Sequence, residues 1–408
     1  MPRMASDLPV TIDDVRAARE VLAGVSRRTP VEGSRPLSNA VGGPVHLKCE
    51  NLQRGGSFKI RGAYVRISRL TGEQRGRGVV AASAGNHAQG VALAAKLLGA
   101  RTTVFMPDGA PIPKVEATRS YGAEVRFAGH SVDEALVSAR AFAAETGAEL
   151  IHPFDHVDIV AGQGTVGLEI LEQCPDVRTV VVCTGGGGLL AGIAVAMKAL
   201  KPDVRVVGVQ AAGAAAYPGS IAAGEPIALD AMTTMADGIA VGCPGDVPYE
   251  IVRRLVDDIV TVSEESLSRA LLLCLERAKL VVEPAGAAGV AALLDDPRAF
   301  EPPVVAVLSG GNIDPQLMLR VLRHGLAAAG RFLSLGVRIP DRPGALARLL
   351  NEIAAADASV LEVVHVRTNP RLLVDEVEVD LQLETRGQEH CDEVRAQLTK
   401  AGYGLMDR

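Results

Sequence analysis

The segment that decides the fold is VVAASAGNHAQG, residues 79–90. It begins with four consecutive apolar residues, Val79 to Ala82, which have the length and composition of a buried strand. A short polar loop follows, and helical periodicity starts near His87. A strand that leads through a glycine-containing loop into a helix is the repeating unit of an α/β fold.

The same alternation continues along the chain. Further strands are predicted at 102–106, 124–127, 149–152 and 179–183, with helices that begin near residues 112, 132, 160 and 189. Gly99, Gly122 and Gly147 each lie between a predicted helix and the next strand, where glycine typically ends a helix. The pattern predicts an α/β fold class with a parallel sheet covered by helices.

The pattern changes near residue 331. Beyond a helix at 316–329, the sequence predicts a strand at 332–339, a helix at 344–356, a strand at 359–367, an Asn369-Pro370 turn, a strand at 374–384 and a helix at 389–401. The strand at 374–384 alternates strictly, with Val377, Val379, Leu381 and Leu383 on one face and Glu378, Asp380, Gln382 and Glu384 on the other. The order βαββα(β) is that of a ferredoxin-like module. We therefore predict one domain at 1–328 and a ferredoxin-like βαββαβ domain at 329–408.

Composition excludes several classes of protein. The 408 residues are 48% hydrophobic and 22% charged, which is the balance of a globular chain and excludes a disordered or fibrous one. A net charge of -6 and an aromatic content of 3% argue against a nucleic-acid partner. The six cysteines lie far apart, and no spacing of Cys or His indicates a metal site. With no secretory signal and no predicted membrane span, we expect a cytoplasmic protein.

Two segments in the first half of the chain carry polar groups suited to chemistry. In QRGGSFKIRG, residues 53–62, Lys59 follows Phe58 in a mostly uncharged stretch, and a desolvated lysine can form a Schiff base. An ordinary solvated lysine fits the same letters. In the loop at 83–90, the N-terminus of a helix combines with Ser83, Asn86 and His87 in a cradle suited to a carboxylate. The alternative is a plain helix cap.

Two later segments also follow strands. TGGGGL, residues 184–189, lets backbone N–H groups converge on a phosphate at a helix N-terminus, with a simple tight turn as the alternative. It is neither a Walker loop nor a dinucleotide fingerprint. Ser309, in SGGN at 309–312, stands where strands of such folds meet the ligand crevice. Together, the four segments suit pyridoxal phosphate with a bound amino acid, because they offer an amine, a site for a carboxylate, a site for a phosphate and a hydroxyl.

In order and spacing, these four segments resemble those of the fold type II (β-family) pyridoxal-phosphate enzymes, in particular the threonine dehydratase (threonine ammonia-lyase) and serine racemase branch. The resemblance covers about residues 10–325. It implies pyridoxal 5'-phosphate as the cofactor and two parallel-sheet α/β subdomains, the smaller one inserted at about residues 53–150. It assigns catalytic roles to Lys59, which holds the cofactor and moves protons, and to Ser83.

The resemblance also assigns binding roles. It gives as cofactor-binding residues Phe58, Lys59, Asn86, Gly185, Gly186, Gly187, Gly188, Leu189, Gly238, Glu283 and Ser309. It gives as substrate-binding residues Ser83, Ala84, Gly85, Asn86 and His87.

The reaction that the resemblance implies is β-elimination of L-threonine to 2-oxobutanoate and ammonia, with L-serine as a second substrate. A neutral Ser309 at the ring nitrogen favours elimination over transamination. Ala84 stands where serine racemases of this family carry a serine that serves as the second proton donor, and Gln210 and Ala216 stand where their metal-binding acids lie. Neither racemisation nor a metal is therefore predicted. A serine dehydratase or racemase and a non-catalytic amino-acid sensor stay open as alternatives.

The C-terminal domain carries one further resemblance. DRPGAL, residues 341–346, resembles the opening turn of an ACT domain, although a helix start with a favourably placed proline explains it equally. The resemblance implies an ACT-like regulatory domain with an amino-acid effector. We also expect a homo-oligomer, either a dimer or a tetramer, with no nucleic-acid or membrane partner.

Overall fold

The computed structural model describes residues 8–367 and 372–407, and the chain divides into two compact units, residues 1–315 and 316–408. The first unit contains two sheets, and the second contains one. Within the described residues, no helix is both long enough and apolar enough to cross a membrane.

Six strands form the larger sheet of the first unit: β1 (Val31–Gly33), β2 (Val45–Lys48), β7 (Thr179–Cys183), β8 (Arg205–Ala211), β9 (Asp258–Val262) and β10 (Val304–Val307). They lie in the order β1-β2-β10-β7-β8-β9. β1 pairs with β2 antiparallel, whereas all other neighbours are parallel. Every residue of β7 and β10 is buried, as expected of central strands with helices on both faces.

Four parallel strands form the smaller sheet: β3 (Val79–Ala82), β4 (Thr102–Met106), β5 (Glu124–Phe127) and β6 (Glu149–Leu150). Their order is β5-β4-β3-β6. All four lie between β2 and β7 in the sequence, so the smaller sheet is an insertion into the larger one. The prediction of an α/β fold with two parallel-sheet parts is confirmed, and the larger sheet carries β1 as an additional antiparallel strand at its edge.

Helices cover both sheets. They are α1 (Ile12–Val21), α2 (Arg35–Val41), α3 (Lys59–Ser68), α4 (Gly72–Arg77), α5 (Asn86–Leu97), α6 (Ile112–Ser120), α7 (Val132–Thr146), α8 (Val157–Gln173), α9 (Gly188–Leu200), α10 (Ala216–Ala223), α11 (Asp246–Leu255), α12 (Glu264–Leu273) and α13 (Pro284–Asp295). Short helical turns lie at Glu50–Leu52, Arg54–Gly56, Ala212–Ala214, Asp237–Ile239, Cys274–Ala278 and Pro297–Ala299. Every residue from Gly188 to Met197 in α9 is buried, because this helix is apolar all round.

The second unit follows the order βαββαβ. After α14 (Pro315–Ala328) come β11 (Phe332–Pro340), α15 (Ala345–Ala355), β12 (Ser359–Val366), β13 (Glu376–Glu384), α16 (Gln388–Lys400) and β14 (Gly404–Asp407). The strands pair antiparallel in the order β12-β13-β11-β14. Apolar residues of β11 and β13 form one core with α15 and α16. This is the predicted ferredoxin-like topology.

Two details of β13 differ from the prediction. The strand begins at Glu376, not at residue 374, because the backbone N–H groups of Leu373 and Glu376 are engaged in a local turn between these two residues. Val377, Val379, Leu381 and Leu383 are buried as predicted, but Glu378 on the opposite face is also only 1% exposed. The predicted Asn369-Pro370 turn lies outside the described residues.

Candidate active site

A cavity of about 420 Å³ lies in the first unit, lined by residues that follow the carboxyl ends of β3, β7 and β10. All the site residues predicted from the sequence line it: Phe58, Lys59, Ser83, Ala84, Gly85, Asn86, His87, Gly185, Gly186, Gly187, Gly188, Leu189, Gly238, Glu283 and Ser309. Four segments far apart in the chain thus converge on one space, as ligand sites of parallel sheets do.

Lys59 is the first residue of α3, and its segment is attached to the end of β10. The Phe58 N–H donates to the carbonyl of Ser309 at 3.2 Å, and Ser57 forms an isolated β-bridge with Gly310. The Lys59 Nζ donates to the carbonyl of Pro153 at 3.0 Å. Burial of the ammonium group lowers the pKa of Lys59 from 10.5 to about 8, while Cys183 and Glu283 act in the opposite direction. The amine is therefore a stronger nucleophile near neutral pH than a surface lysine.

The loop from Ser83 to Gly85 joins β3 to α5. The Ser83 Oγ accepts a hydrogen bond from the N–H of Gly85 at 3.1 Å, which holds the loop in a tight turn. The first N–H groups of α5 have no partner within the helix and carry the positive end of its dipole. The loop is therefore a suitable place for a carboxylate.

His87 lies in the first turn of α5 and points into the protein. Its Nε2 is 2.7 Å from the carbonyl of Ile151, so this nitrogen carries the proton and donates it. Burial, reinforced by the charge of Lys59, lowers the pKa of His87 to about 3. The side chain is a neutral anchor between α5 and the end of β6, so only its backbone is left to hold a substrate.

Asn86 and Glu283 form a polar contact across the cavity. The Asn86 Nδ2 donates to the Glu283 Oε1 at 2.6 Å, and the Asn86 Oδ1 accepts from the Asn312 Nδ2 at 2.8 Å. Burial, reinforced by the neighbouring Asp237, raises the pKa of Glu283 to about 7, although Lys114 and the hydrogen bond from Asn86 oppose the shift. Glu283 is therefore poised to change its charge near neutral pH.

The four glycines at 185–188 join β7 to α9 in a space too small for side chains. A Cβ on Gly186 would lie 2.4 Å from the ring of Phe154, and one on Gly187 would lie 1.8 Å from the Tyr217 Oη. Gly187 also has a φ of +95°, which L side chains rarely adopt. The Tyr217 hydroxyl donates to the carbonyl of Gly186 at 3.3 Å. The loop presents bare backbone at the N-terminus of α9, which suits a phosphate.

Ser309 is paired with a cysteine that the sequence analysis did not single out. The Cys183 thiol donates to the Ser309 Oγ at 3.1 Å. Burial raises the pKa of Cys183 to about 11, so the thiol keeps its proton and acts as the donor. The Ser309 oxygen is therefore the acceptor in this pair, which leaves its own proton to be donated into the cavity.

These donor groups fit pyridoxal phosphate. The cavity offers an amine of lowered pKa for the aldehyde, a side-chain-free loop at a helix N-terminus for the phosphate and a hydroxyl donor for the ring nitrogen. The cradle that a Cβ would fill at Gly186 and Gly187 shows that the loop is shaped around exposed backbone. In the part of the chain that the structure describes, no cluster of three or more His, Cys, Asp or Glu side chains could hold a metal ion.

The fold and the cavity together define an α/β enzyme built around pyridoxal phosphate. The family model described as "Pyridoxal-phosphate dependent enzyme" matches residues 22–310, and the chain belongs to this family. It is 45% identical to the L-threonine ammonia-lyase of Thermotoga maritima over 97% of this chain and 98% of that protein. The crystal structure of T.th. threonine deaminase has a TM-score of 0.71 and 43% identity, covering 74% of this chain and 99% of that one. The structure of maize serine racemase has a TM-score of 0.73 and 38% identity, covering 78% and 98%.

Several cavity residues were missed by the sequence analysis. His152 ends the predicted strand at 149–152 and Phe154 follows it, so their position at the end of a strand was an available signal. Tyr217, which contacts the glycine loop but does not line the cavity, gave no signal in the sequence, because it comes from a separate helix, α10. Lys114 and Asp237 also line the cavity and form an ion pair with each other between α6 and the turn at Asp237–Ile239.

Proposed function

We propose that this chain is a pyridoxal-phosphate-dependent ammonia-lyase that converts L-threonine to 2-oxobutanoate and ammonia, with L-serine as a second substrate. The observation that carries the proposal is the convergence of Lys59, the loop 83–87, the glycine loop 185–188 and Ser309 on one cavity. Similarity to an L-threonine ammonia-lyase over nearly the whole of both chains supports threonine as the substrate.

Lys59 is proposed as the residue that holds the cofactor and then accepts the substrate Cα proton. The bound cofactor supplies an electron sink that makes this proton acidic. A pKa of about 8 leaves part of the Lys59 amine unprotonated at neutral pH, as a general base requires. Its contact with the Pro153 carbonyl holds the amine inside the cavity.

The loop 83–87 is proposed to hold the substrate carboxylate. The free N–H groups at the start of α5 supply hydrogen-bond donors, and the dipole of this helix supplies an electrostatic field that favours a negative charge. Ser83 fixes the turn through Gly85, and Asn86 is held by Glu283 and Asn312, so the cradle is formed before the substrate arrives. Because the loop is already ordered, less of the binding free energy of the substrate is lost in ordering it.

Ser309 is proposed to direct the reaction towards elimination. A hydroxyl donates a hydrogen bond to the ring nitrogen but brings no negative charge that would hold a proton there. With the cofactor bound, this residue would support less delocalisation of charge into the ring than a carboxylate would, which would favour loss of the β-hydroxyl over reprotonation. The thiol of Cys183 fixes the direction of this hydroxyl.

Ala84 argues against the racemase alternative. It lines the cavity with a methyl group, which neither donates nor accepts a proton. Racemisation needs an acid on the face of the substrate opposite to Lys59. The alternative of a non-catalytic amino-acid sensor is disfavoured because the Lys59 amine and its surroundings are intact.

The test compares Lys59→Ala with the control Lys96→Ala. Lys96 lies on α5, and its exposed side chain points away from the cavity lining. Lys59→Ala is expected to lose both the visible absorbance of bound cofactor and the formation of 2-oxobutanoate, and Lys96→Ala to keep both. Turnover by Lys59→Ala, or a wild-type enzyme that racemises L-serine as fast as it eliminates water, would refute the proposal.

We further propose that the second unit is an ACT-like domain that binds an amino-acid effector, and that the chain forms a homo-oligomer. The βαββαβ topology and the DRPGAL turn before α15 support the first proposal. Isoleucine or valine is expected to change the apparent affinity for L-threonine by about 5- to 150-fold. Calorimetry that finds no binding of isoleucine, valine, threonine or serine to the full-length protein outside the active site would contradict it.

A further inference from the structure

A buried ionic cluster lies behind the active-site cavity, at the junction of β2, α3 and α8. Its members are Lys48, Glu50, Arg61 and Glu169, and we call them the ionic cluster. The side chains of Lys48, Glu50 and Arg61 are at most 1% exposed, and that of Glu169 is 12% exposed. None of the four lines the cavity. Two cations and two carboxylates make the ionic cluster electrically balanced.

Arg61 uses all five of its N–H groups. Its Nε and Nη2 donate to the two carboxylate oxygens of Glu50, both at 2.8 Å. Its Nη1 donates to Glu169 at 2.7 Å and to the Thr165 Oγ1 at 3.2 Å, and its Nη2 also donates to the carbonyl of Arg27 at 3.2 Å. A planar guanidinium bound at every donor has its orientation fixed in all directions.

Lys48 is equally saturated. Its three N–H groups donate to Glu169 at 2.5 Å, to the Gln173 Oε1 at 2.8 Å and to the carbonyl of Thr29 at 2.9 Å. Burying such ions gives little net stability, since desolvation offsets the attraction and apolar residues would pack there as well. What the ionic cluster provides instead is a fixed geometry between the elements it joins.

That geometry acts on the first turn of α3, which begins with Lys59. Arg61 is two residues further on, so it points about 200° around the helix axis from Lys59. At the next position, Gly62 packs closely on Gly162 of α8: a Cβ added to Gly162 would lie 2.6 Å from the Cα of Gly62. On the other side, a Cβ on Gly90 of α5 would lie 3.0 Å from the Lys59 backbone. The turn is therefore held between two helices.

We propose that Arg61 and the ionic cluster position Lys59: they set the rotation and depth of the first turn of α3, and hence the place of the Lys59 amine in the cavity. Arg61 is thus a positioning residue that acts through the backbone of α3 without touching the cavity. The inference rests on the proposed role of Lys59 in catalysis.

The test is Arg61→Lys in the holoenzyme, with Arg69→Lys as the matched control. Arg69 makes the same kind of contact between α3 and α8, an ion pair with Asp158, but at the opposite end of α3. Arg61→Lys keeps the positive charge and loses the fork that grips Glu50. We expect kcat for L-threonine to fall by about ten- to a hundredfold with KM changed less than about threefold, because the carboxylate cradle is untouched. The visible circular dichroism of the bound cofactor is expected to change in Arg61→Lys and to stay unchanged in Arg69→Lys.

Thr165→Val is the second variant, in case Arg61→Lys does not fold. It keeps the shape of the side chain and removes a single acceptor of Arg61, and we expect a fall in kcat of about threefold. The positioning role is wrong if Arg61→Lys folds and matches Arg69→Lys both in kcat and in circular dichroism. If Arg61→Lys does not fold, the role is wrong if Thr165→Val has the kcat of the wild type. Retained turnover in Lys59→Ala would instead refute the proposed function, so the two failures are distinguishable.

Discussion

Gly187→Ala is the substitution whose effect the structure defines most closely. Gly187 precedes α9 with φ +95° and ψ -6°. A Cβ at this position would lie 1.8 Å from the Tyr217 Oη, 2.8 Å from its Cζ and 3.0 Å from the Pro248 Cβ. Alanine therefore meets two separate obstacles, the backbone conformation and the fully buried ring of Tyr217.

The two obstacles can be given magnitudes. An L residue in the left-handed region costs about 1–2 kcal/mol, and overpacking a buried site costs about 1–3 kcal/mol. We expect Gly187→Ala to lower the free energy of unfolding of the apoenzyme by about 2–5 kcal/mol. Tyr217→Phe removes the oxygen that makes the closest contact. In the double variant, we therefore expect it to restore part of the free energy of unfolding lost to overpacking, but none of the part lost to the backbone conformation. The single variant Tyr217→Phe loses about 1 kcal/mol with its hydrogen bond to Gly186.

The assays are urea unfolding of the apoenzyme and titration of the apoenzyme with pyridoxal phosphate, followed by visible absorbance. Because the loop holds the phosphate in the proposed site, the Kd for the cofactor is expected to rise at least about tenfold, which corresponds to about 1.4 kcal/mol. Gly219→Ala in α10 is the control, since no atom lies within 4 Å of its Cβ position and its φ is not positive. It is expected to change neither quantity or to stabilise slightly.

Two results would refute this reasoning. Wild-type unfolding and cofactor affinity in Gly187→Ala would show that the loop tolerates a side chain. Strict additivity of Gly187→Ala and Tyr217→Phe would show that the two residues do not contact each other, because residues in contact are expected to couple.

Three further substitutions test the electrostatics and stereochemistry of the site. Glu283→Gln removes a carboxylate that favours the charged form of Lys59, so the pKa of Lys59, about 8, is expected to fall further. The rise of kcat with pH is therefore expected to move to lower pH. A pH profile of kcat that does not move would contradict the assignment of Lys59 as the base. Ala84→Ser is expected to introduce interconversion of L- and D-serine, measured by chiral chromatography against a wild type that shows little, and its absence would argue that residue 84 does not face the substrate. Ser309→Asp is expected to raise the ratio of abortive transamination to elimination, measured from the products on L-serine, and an unchanged ratio would place Ser309 away from the ring nitrogen.

Local signals in the sequence were sufficient for much of this structure. Strands β3, β4 and β7 and their following helices were predictable because each combines a short apolar run with a polar loop and a helical period. The C-terminal unit was predictable for the same reason, since strict alternation marks β13. The loop at 83–87, the glycine loop and Ser309 were predictable because each follows a strand, and parallel strands bring the loops at their carboxyl ends together. Gly238 and Glu283 were expected only from the family resemblance.

Other features depend on contacts between distant segments. The pairing of β2 with β10 joins residues 45–48 to residues 304–307, and no local pattern specifies that partner. The contact of Tyr217 with the glycine loop is equally non-local. Arg61 looks in the sequence like a surface arginine, and only the packing of α3 on α8 shows that it is buried in the ionic cluster.

The cavity narrows the choice of proton carriers to very few groups. His87 and His152 are held neutral, with pKa values lowered to about 3 and about 4 chiefly by burial, so neither delivers a proton near neutral pH. Cys183 keeps its proton because burial raises the pKa of its thiol to about 11. Lys59 and Glu283, by contrast, have pKa values of about 8 and about 7, close to the pH at which enzymes of this kind must move protons. Burial is the main cause of the lowered pKa of Lys59, and the Glu283 carboxylate, which accepts a hydrogen bond from Asn86, opposes it, so Glu283 adjusts the proton affinity of the amine that we propose as the proton carrier.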